Sequence, residues 1–315
     1  IRVRFPSAAP EPPKGLRPRG FFFLKGRNDM YLNELFSMKN CEFSIEVFPP
    51  KKNVASLNTL YPKLKELAAL SPDFISVTYG AGGNVADDST CQIAAYIKRE
   101  LGIESLAHLT CVNSEKEQIQ DTLQQLRQNG IENVLALRGD INPNLPRKTD
   151  YRYASELASV VHESGFNVVG ACYPEGHVES DSLRQDVENL HYKIEAGVTH
   201  LITQLFFDNG VFYRFLNLAR KAGVSVPIEA GVMPIVSKTQ VERTVALSSA
   251  SLPSEFTKMI SKYDHDEQGL FDAGIDYAIR QIRDLIEGGT DGIHLYAMNR
   301  PMVARKVYEG IKDLL

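Results

Sequence analysis

The chain has 315 residues, of which 43% are hydrophobic and 23% are charged, a composition typical of a soluble globular protein. Its 35 basic and 39 acidic residues give a formal net charge of -4, which provides no electrostatic reason to expect nucleic acid or a membrane surface as a partner. The four cysteines are too widely spaced for a disulfide framework or a zinc site, and no apolar run could span a bilayer. We therefore expect a cytoplasmic protein that acts on small molecules, and a homo-oligomer is an option that the composition leaves open.

The first 29 residues differ in composition from the rest of the chain. They are rich in Pro and Arg and show no sustained hydrophobic period, which is typical of disorder. A transit-like segment is the alternative, supported by a single serine. Met30 then opens a candidate amphipathic helix, MYLNELFSMK. We predict that residues 1–29 are a disordered or added tail and that residues 30–315 form one catalytic domain, which begins with this helix.

From Cys41 onward, short apolar runs alternate with helical segments. Eight runs are predicted to be strands: CEFSIEV, FISVT, SLAHLTC, NVLAL, NVVGAC, HLITQLF, PIEAGV and GIHLYAM. The stretches between them carry apolar residues at three- and four-residue intervals, as amphipathic helices do. Strands that alternate with helices pair in parallel through right-handed crossovers. Eight such units predict a (β/α)8 TIM barrel with an α/β architecture.

A doubly wound open sheet is the alternative fold. That fold favours a Gly-rich fingerprint after the first strand, where this chain has Phe48, Pro49 and Pro50. The Gly-rich loop YGAGGN, after the second strand, matches neither a dinucleotide-binding pattern nor a P-loop, and we interpret it as a tight turn. The barrel is therefore favoured, and its active site is expected at the carboxyl ends of the strands.

Polar residues that are unusual in a core collect at the predicted strand ends. They are Glu46, Thr78, His108, Arg138, Asp140, Tyr173, Gln204, Asn299 and Arg300. Glu46 lies between the apolar residues Ile45 and Val47, and alternation places it on the same face of the strand as Ser44. A carboxyl group that is desolvated at a barrel mouth is suited to act as a general acid, whereas a structural carboxylate paired with an arginine is the alternative.

The segment ALRGD and the residue Gln204 each allow two interpretations. Arg138 and Asp140 form either a loop ion pair or a site in which Arg138 holds an anionic cofactor group and Asp140 tunes its electronics. Gln204 is either a satisfied core amide or a partner for the edge of a pterin or similar ring.

The helix predicted over residues 181–197 carries a polar stripe of Asp186, Asn189 and Lys193 beside its apolar one. This stripe is either solvated or borders a ligand. The seven histidines are scattered and show no close carboxylate cluster, so no metal site is predicted.

Several segments together resemble the methylenetetrahydrofolate reductase family. They run in order from about Cys41 to Arg300 and are SIEVFPPK, FISVTYGAGG, AHLTC, VLALRGD, YASELA, CYPEGH, DVENLHYKIEAGVTHLITQLFFD, PIEAGVMPI and HLYAMNR. Each segment alone is weak support, whereas the ordered set is specific. The resemblance implies a single-domain barrel that carries non-covalent FAD. NADH or NADPH would reduce the FAD, which would then pass a hydride to 5,10-methylenetetrahydrofolate and form 5-methyltetrahydrofolate in a ping-pong reaction.

The resemblance also implies roles for individual residues. Glu46 matches the family's general acid, which assists opening of the folate's five-membered ring to a reactive iminium, and Asp140 matches the carboxylate near flavin and pterin. The implied flavin contacts are Thr78, His108, Arg138, Gly139, Asp140, Tyr153, Ala154, Tyr173, His177, Asp186, Asn189 and Lys193. The implied folate contacts are Glu46, Gln204, Tyr296 and Arg300. Lys238 follows the seventh strand where the family often has an aromatic residue, so the choice between NADH and NADPH stays open.

Two other functions are compatible with a barrel. A Schiff-base aldolase needs a desolvated lysine on an inward strand position, and none of the eight predicted strands contains a lysine. A folate- or corrinoid-linked binding subunit shares the scaffold without reductase activity. Such a subunit would not need a carboxylic acid at Glu46 or a complete set of flavin contacts.

Overall fold

A computed structural model of the chain describes residues 31–50, 56–79, 88–141, 148–247 and 250–315. The predicted tail of residues 1–29 and the glycines of the YGAGGN loop lie outside these ranges.

The described residues form a closed barrel of eight parallel strands that follow one another in chain order. The strands are β1 Glu42–Val47, β2 Phe74–Val77, β3 Glu104–Thr110, β4 Asn133–Leu137, β5 Asn167–Cys172, β6 Val198–Thr203, β7 Ile228–Val232 and β8 Gly292–Leu295. The first strand, β1, pairs with both β2 and β8, and this second pairing closes the cylinder. The predicted TIM barrel is confirmed, and each predicted strand overlaps an observed one.

Helices surround this barrel, except for the first, which lies at one end of it. They are α1 Leu32–Leu35, α2 Tyr61–Ala68, α3 Ser89–Leu101, α4 Lys116–Gln128, α5 Ala154–Glu163, α6 Leu183–Glu188, α7 Leu190–Glu195, α8 Asn209–Lys221, α9 Lys238–Leu247, α10 Ser254–Lys262, α11 Glu267–Glu287 and α12 Pro301–Ile311. Outward strand residues such as Ile45 and Val47 are fully buried in one core with helix residues such as Leu64. Burial of this apolar surface is the main favourable term that holds the helices on the barrel.

The helix predicted over residues 181–197 is divided into α6 and α7, which meet at Asn189. Asn189 keeps helical dihedral angles (φ -67°, ψ -16°), so the interruption is local. Ser182 caps α6 because its hydroxyl accepts a hydrogen bond from the Gln185 N–H at 3.2 Å. The apolar stripe of this segment faces the core, as its spacing predicts: Val187 and Leu190 are buried in it, and Leu183 and Ile194 are partly buried against it.

The predicted N-terminal helix is present but short. Its Leu32 side chain is fully buried inside the barrel, and the Leu32 N–H donates to Asn133 Oδ1 at 3.0 Å. Because Asn133 is the first residue of β4, α1 closes the amino-terminal end of the barrel, which we call the floor. The opposite end, where the strands' carboxyl ends lie, is the mouth and stays accessible.

Candidate active site

A cavity of about 240 Å³ lies at the mouth of the barrel. Its walls are Glu46, His108, Leu135, Leu137, Ala171, Tyr173, Ile202, Thr203, Gln204, His294 and Tyr296. The structure therefore brings together five residues that the sequence predicted as site residues: Glu46, His108, Tyr173, Gln204 and Tyr296. They come from the ends of β1, β3, β5, β6 and β8, as expected of a barrel active site.

Glu46 points into the interior of the barrel, as alternation along β1 predicts. Its side chain is 18% exposed, and its Oε2 lies 3.7 Å from His108 Nε2 and 3.8 Å from His294 Nε2. Both distances are too long for direct hydrogen bonds. Among the described residues, the basic side chains found within 4 Å of the Glu46 carboxyl are histidines, and the alternative of a structural pair with an arginine is not what the structure shows.

His108 is a buried imidazole beside this carboxyl. Burial lowers its pKa to about 4, against the opposing effect of Glu46, so the ring is neutral at neutral pH. His108 Nε2 and Thr78 Oγ1 are buried and have no hydrogen-bond partner within the described part of the chain. Buried polar atoms without partners are uncommon in proteins and costly. Two such atoms near the mouth mark a place where a ligand can complete the hydrogen bonding.

The end of β1 is held in place by the loop after β8. Pro49 and Pro50 have no N–H donor and end the strand ladder. Asn299 replaces the missing ladder partner: its Oδ1 accepts from the Phe48 N–H at 3.1 Å, and its Nδ2 donates to the Phe48 carbonyl at 2.8 Å. Asn299 adopts a positive φ of 53°, which Asn tolerates better than most residues. This pair of hydrogen bonds positions the segment that carries Glu46.

A second group of predicted residues lies at the end of β5. The rings of Tyr173 and His177 pack edge to face with centroids 4.8 Å apart, and Lys193 Nζ lies 5.9 Å from the Tyr173 ring centroid. Lys193 donates to the Ala171 carbonyl at 2.6 Å, and Asp186 accepts from the His177 N–H at 3.1 Å. The polar stripe of α6 and α7 therefore faces the loop after β5, and the solvated alternative is wrong for Asp186 and Lys193.

Burial also changes the pKa values in this group. It raises the pKa of the Tyr173 phenol to about 12 and lowers the pKa of the Lys193 ammonium group. The pKa of His177 is lowered by burial and, next, by the Arg138 guanidinium.

Arg138 lies at the rim of the mouth. Its guanidinium makes a two-point ion pair with the Glu179 carboxylate, at 2.5 and 2.8 Å. The ion pair proposed between Arg138 and Asp140 is therefore replaced by one with Glu179. Gly139, which lies between Arg138 and Asp140 in the chain, has a φ of +84°. A Cβ at this position would lie 2.9 Å from Thr110 Cβ, so the turn requires glycine. Asp140 is exposed, and its backbone carbonyl accepts from Asn113 Nδ2 at 3.3 Å.

The other predicted contact residues lie farther toward solvent. Tyr153 is 59% exposed and precedes α5, Arg300 is exposed at the start of α12, and Gln204 is exposed at the rim, where its Oε1 accepts from the Leu205 N–H at 2.9 Å. Ala154 is half-buried, and Asn189 accepts from Gln185 Nε2 at 3.2 Å. Their proposed contacts with flavin or folate stay predictions.

Three residues near the site were not predicted as site residues from the sequence. Ser44 and His294 are buried in the interior beneath Glu46, where Ser44 Oγ lies 2.6 Å from His294 Nδ1. Glu229, on β7, is also completely buried there. The sequence feature that could have identified them is a polar residue at an inward position of an otherwise apolar strand. This feature applies equally to Glu46, Ser44, Glu229 and His294, so it does not distinguish between them.

Two further findings concern the described ranges. No group of three or more His, Cys, Asp or Glu side chains in them could hold a metal ion. Within the same ranges, no helix has the length and apolar character required to cross a bilayer.

Lys238, which stands where an aromatic residue was expected, begins α9 and forms an ion pair with Asp264 at 2.5 Å. The Lys238 side chain is 44% exposed, so it lies on the protein surface.

Comparisons with known proteins agree with this architecture. An uncharacterized protein from Clostridium thermocellum that binds two copies of 5-methyl-5,6,7,8-tetrahydrofolic acid superposes with a TM-score of 0.66 at 15% identity, covering 90% of this chain and 99% of that chain. At this identity the likeness establishes the fold.

Sequence relatives define the family. A 5,10-methylenetetrahydrofolate reductase from Pectobacterium carotovorum is 34% identical over 258 residues, which is 82% of this chain and 85% of the relative. Methylenetetrahydrofolate reductase (NADH) 1 from Arabidopsis thaliana is 32% identical over 273 residues, and the match spans 46% of that longer protein. The family model for methylenetetrahydrofolate reductase matches residues 31–312. The chain therefore belongs to the methylenetetrahydrofolate reductase family.

Proposed function

We propose that this protein reduces 5,10-methylenetetrahydrofolate to 5-methyltetrahydrofolate with NADH or NADPH through bound FAD, and that Glu46 is the general acid. The observation that carries the proposal is the position of the Glu46 carboxyl, which lies in the cavity at the mouth between two imidazoles. Membership of the reductase family supports the reaction, and the name of the Arabidopsis relative supports NADH as a reductant.

The residues at the mouth fit a flavin. Thr78 Oγ1 and His108 Nε2 offer two buried polar atoms for the edge of a heteroaromatic ring. Lys193 and Arg138 supply positive charge on one side of the site, and Arg138 has the planar donor geometry that would bind phosphate in a two-point manner if the phosphate displaced the Glu179 carboxylate. A bound flavin would supply a two-electron carrier, which accepts a hydride from the nicotinamide and delivers it to the folate. Because both substrates would use the same mouth in turn, ping-pong kinetics are expected.

Glu46 would act on the folate. In its protonated form it donates a proton to the folate nitrogen that is released when the five-membered ring opens. Tyr296 forms the adjoining wall: its hydroxyl donates to the Thr203 carbonyl at 2.7 Å, and its ring packs against His294 with centroids 5.1 Å apart. This packing leaves the Glu46 side of the cavity open to a ligand.

The change Glu46→Gln tests this role. Gln keeps the size of the side chain but cannot donate an acidic proton. We expect reduction of the flavin by NADH to be nearly unchanged, and its reoxidation by methylenetetrahydrofolate to slow by about 10²- to 10⁴-fold, which is the usual contribution of a general acid. Anaerobic stopped-flow absorbance of each half-reaction measures both steps. Equal loss in the two half-reactions would make Glu46 a structural residue.

The same experiment separates the reductase from a folate- or corrinoid-linked binding subunit. The reductase is expected to be yellow as purified or after addition of FAD, to bleach with NADH or NADPH, and to regain its colour with methylenetetrahydrofolate. A protein that takes up no FAD would contradict the reductase proposal and favour the binding subunit.

A further inference from the structure

A buried carboxyl that the proposed reaction does not use lies beneath Glu46. Glu229 is completely buried in the barrel interior, and its two carboxyl oxygens lie 3.4 and 3.3 Å from Ser44 Oγ. A carboxyl group in such a position is expensive to ionise. Its burial, with the Ser44 hydroxyl as its hydrogen-bond partner among the described residues, therefore requires an explanation beyond packing.

A series of proton-carrying groups leads from Glu229 to Glu46, with one gap at its last step. Ser44 Oγ is 2.6 Å from His294 Nδ1, and the opposite ring nitrogen, His294 Nε2, is 3.8 Å from Glu46 Oε2. Ser76 Oγ, 3.3 Å from His294 Nε2, helps to orient the ring. We call Glu229, Ser44, His294 and Glu46 the barrel-axis chain. It runs from the middle of the barrel to the mouth.

We propose that Glu229 is a reserve proton donor, which recharges Glu46 through Ser44 and His294 after Glu46 has given its proton to the folate. The inference rests on the proposed role of Glu46 as the general acid. Its physical reason is access to solvent: Glu46 is only 18% exposed before any ligand binds, and a flavin and a folate at the mouth would cover it further. A proton source on the interior side of Glu46 avoids that obstruction.

The transfer balances without any oxidant or reductant. The O–H bond of Glu229 breaks as its proton passes to Ser44 Oγ, and the proton already on Ser44 passes to His294 Nδ1. The proton on His294 Nε2 then passes to the Glu46 carboxylate. Glu229 ends as a carboxylate, His294 ends as its other neutral tautomer, and Ser44 is unchanged. The last gap of 3.8 Å closes through a small side-chain movement or one water molecule. The chain resets in reverse when the mouth is open to solvent.

The charges around Glu229 favour a stored proton. Burial raises the pKa of Glu229 to about 8, so Glu229 is protonated in a large share of the protein molecules near neutral pH. The titratable and charged groups that face it are Lys39 and Cys41 before β1, Glu42 on β1, Asp73 before β2, Asp291 before β8, His294 on β8 and Tyr296 just after β8. Asp73 and Asp291 favour the protonated form of Glu229, whereas the hydrogen bond with Ser44 and, next, the charge of Lys39 oppose it, and burial is the largest effect.

Glu42 provides a matched control. It is also a completely buried carboxyl on an inward position of β1, and its pKa is also raised, first by burial and next by Asp73. The two residues lie on opposite sides of Gly292, since a Cβ on that glycine would contact both side chains. Glu42 is not part of the barrel-axis chain, because the hydroxyl of Ser44 is directed to Glu229 and His294.

The experiment compares Glu229→Gln, Ser44→Ala and Glu42→Gln in the FAD-loaded protein. We expect Glu229→Gln and Ser44→Ala to leave flavin reduction by NADH and a single reoxidation by methylenetetrahydrofolate within about twofold, because Glu46 starts protonated, and to slow steady-state turnover by about tenfold or more, because Glu46 must then be recharged. Their pH profiles for turnover should change in the same way, and the double variant should be no slower than either single one, because both interrupt one chain. We expect Glu42→Gln to have the same rates and the same pH profile as the protein without substitutions. Ser44→Ala keeps the test usable if Glu229→Gln does not fold.

An infrared measurement gives a readout that does not depend on turnover. The band of a protonated carboxyl group in the purified protein near neutral pH should lose intensity in Glu229→Gln, and the remaining Glu42 contribution should disappear in Glu42→Gln. If Glu229→Gln removes no such intensity, or if Glu229→Gln and Glu42→Gln change steady-state turnover to the same extent, the reserve-donor proposal is wrong. If Glu46→Gln itself leaves reoxidation unchanged, the proposed role of Glu46 is what fails.

Discussion

At the scale of single residues, the shape of the mouth depends on Gly231 of β7. A Cβ at this position would lie 2.4 Å from the Thr203 carbonyl oxygen and 2.6 Å from Tyr296 Cε2. The Thr203 oxygen belongs to the backbone of β6 and cannot move without disturbing the strand. Tyr296 can therefore form its wall of the cavity only because residue 231 has no side chain.

This contact predicts the effect of Gly231→Ala. We expect the change to lower the free energy of unfolding by about 1–3 kcal/mol, the usual cost of overpacking, and to impair folate turnover by displacing Tyr296. Urea unfolding and steady-state kinetics measure the two effects. Gly210→Ala in α8 is the control, because the nearest atoms there are the ends of the Asp208 and Arg214 side chains, which can move aside. If the Gly231→Ala protein were as stable and active as Gly210→Ala, the Tyr296 side chain could adopt another position without cost, and the prediction would be wrong.

At the scale of elements, α1 illustrates how little of a helix its own residues determine. A single helical turn is unfavourable in water, because the conformational entropy lost when its residues become ordered outweighs the free energy gained from its first hydrogen bond. The turn persists here because Leu32 fills the floor of the barrel. Its apolar neighbours are the inward residues Phe74, Leu106, Leu135, Val169 and Ile202.

We therefore expect Leu32→Ala to destabilise the protein by about 2–5 kcal/mol, as for other large-to-small changes in a core. Chemical denaturation with a fluorescence or circular dichroism readout measures the change. Met38→Ala, just beyond α1, is the matched control, because Met38 is 56% exposed and its loss should change stability by no more than about 0.5 kcal/mol. A small effect of Leu32→Ala would mean that the floor closes without this side chain.

At the scale of the whole molecule, the buried groups of the barrel interior determine how stability changes with pH. Burial raises the pKa of Glu229 from 4.5 to about 8, and the pKa of Glu42 is also raised, so the unfolded chain loses these protons at a lower pH than the folded protein does. Both groups make stability fall as pH rises from 4.5 toward 8. The pKa values of His108 and His200 are lowered from 6.5 to about 4 and about 3, so these groups make stability fall as pH drops below 6.5.

The two effects oppose each other below pH 6.5, and only the carboxyl effect remains above it. Each carboxyl contributes a slope of at most about 1.4 kcal/mol per pH unit. We expect the free energy of unfolding to decline between about pH 6.5 and pH 8, and Glu229→Gln to remove about half of this decline. Urea unfolding at a series of pH values measures the slope. An unchanged slope in Glu229→Gln would mean that Glu229 is already ionised in the folded protein at neutral pH.

The polar residues at the strand ends show how far sequence patterns reached into the site. Glu46, His108, Tyr173, Gln204 and Tyr296 were predicted and do meet in one cavity. The partner of Arg138 was not predicted, because Glu179 is 41 residues away along the chain. Sequence spacing contains no information on such a contact unless both residues are first assigned to the same end of the barrel.

The sequence by itself determined the order of the strands, their inward and outward faces, and the end of the barrel at which Glu46 lies. These features follow from local rules: β-branched runs form strands, side chains alternate along them, and right-handed crossovers bring every strand's carboxyl end to the mouth. Only the tertiary structure decided which inward residues meet across the cylinder. Ser44, Glu229 and His294 come from β1, β7 and β8, and closure of β8 onto β1 makes them neighbours. Strand register and side-chain packing set the distances between them, and these depend on the whole barrel at once.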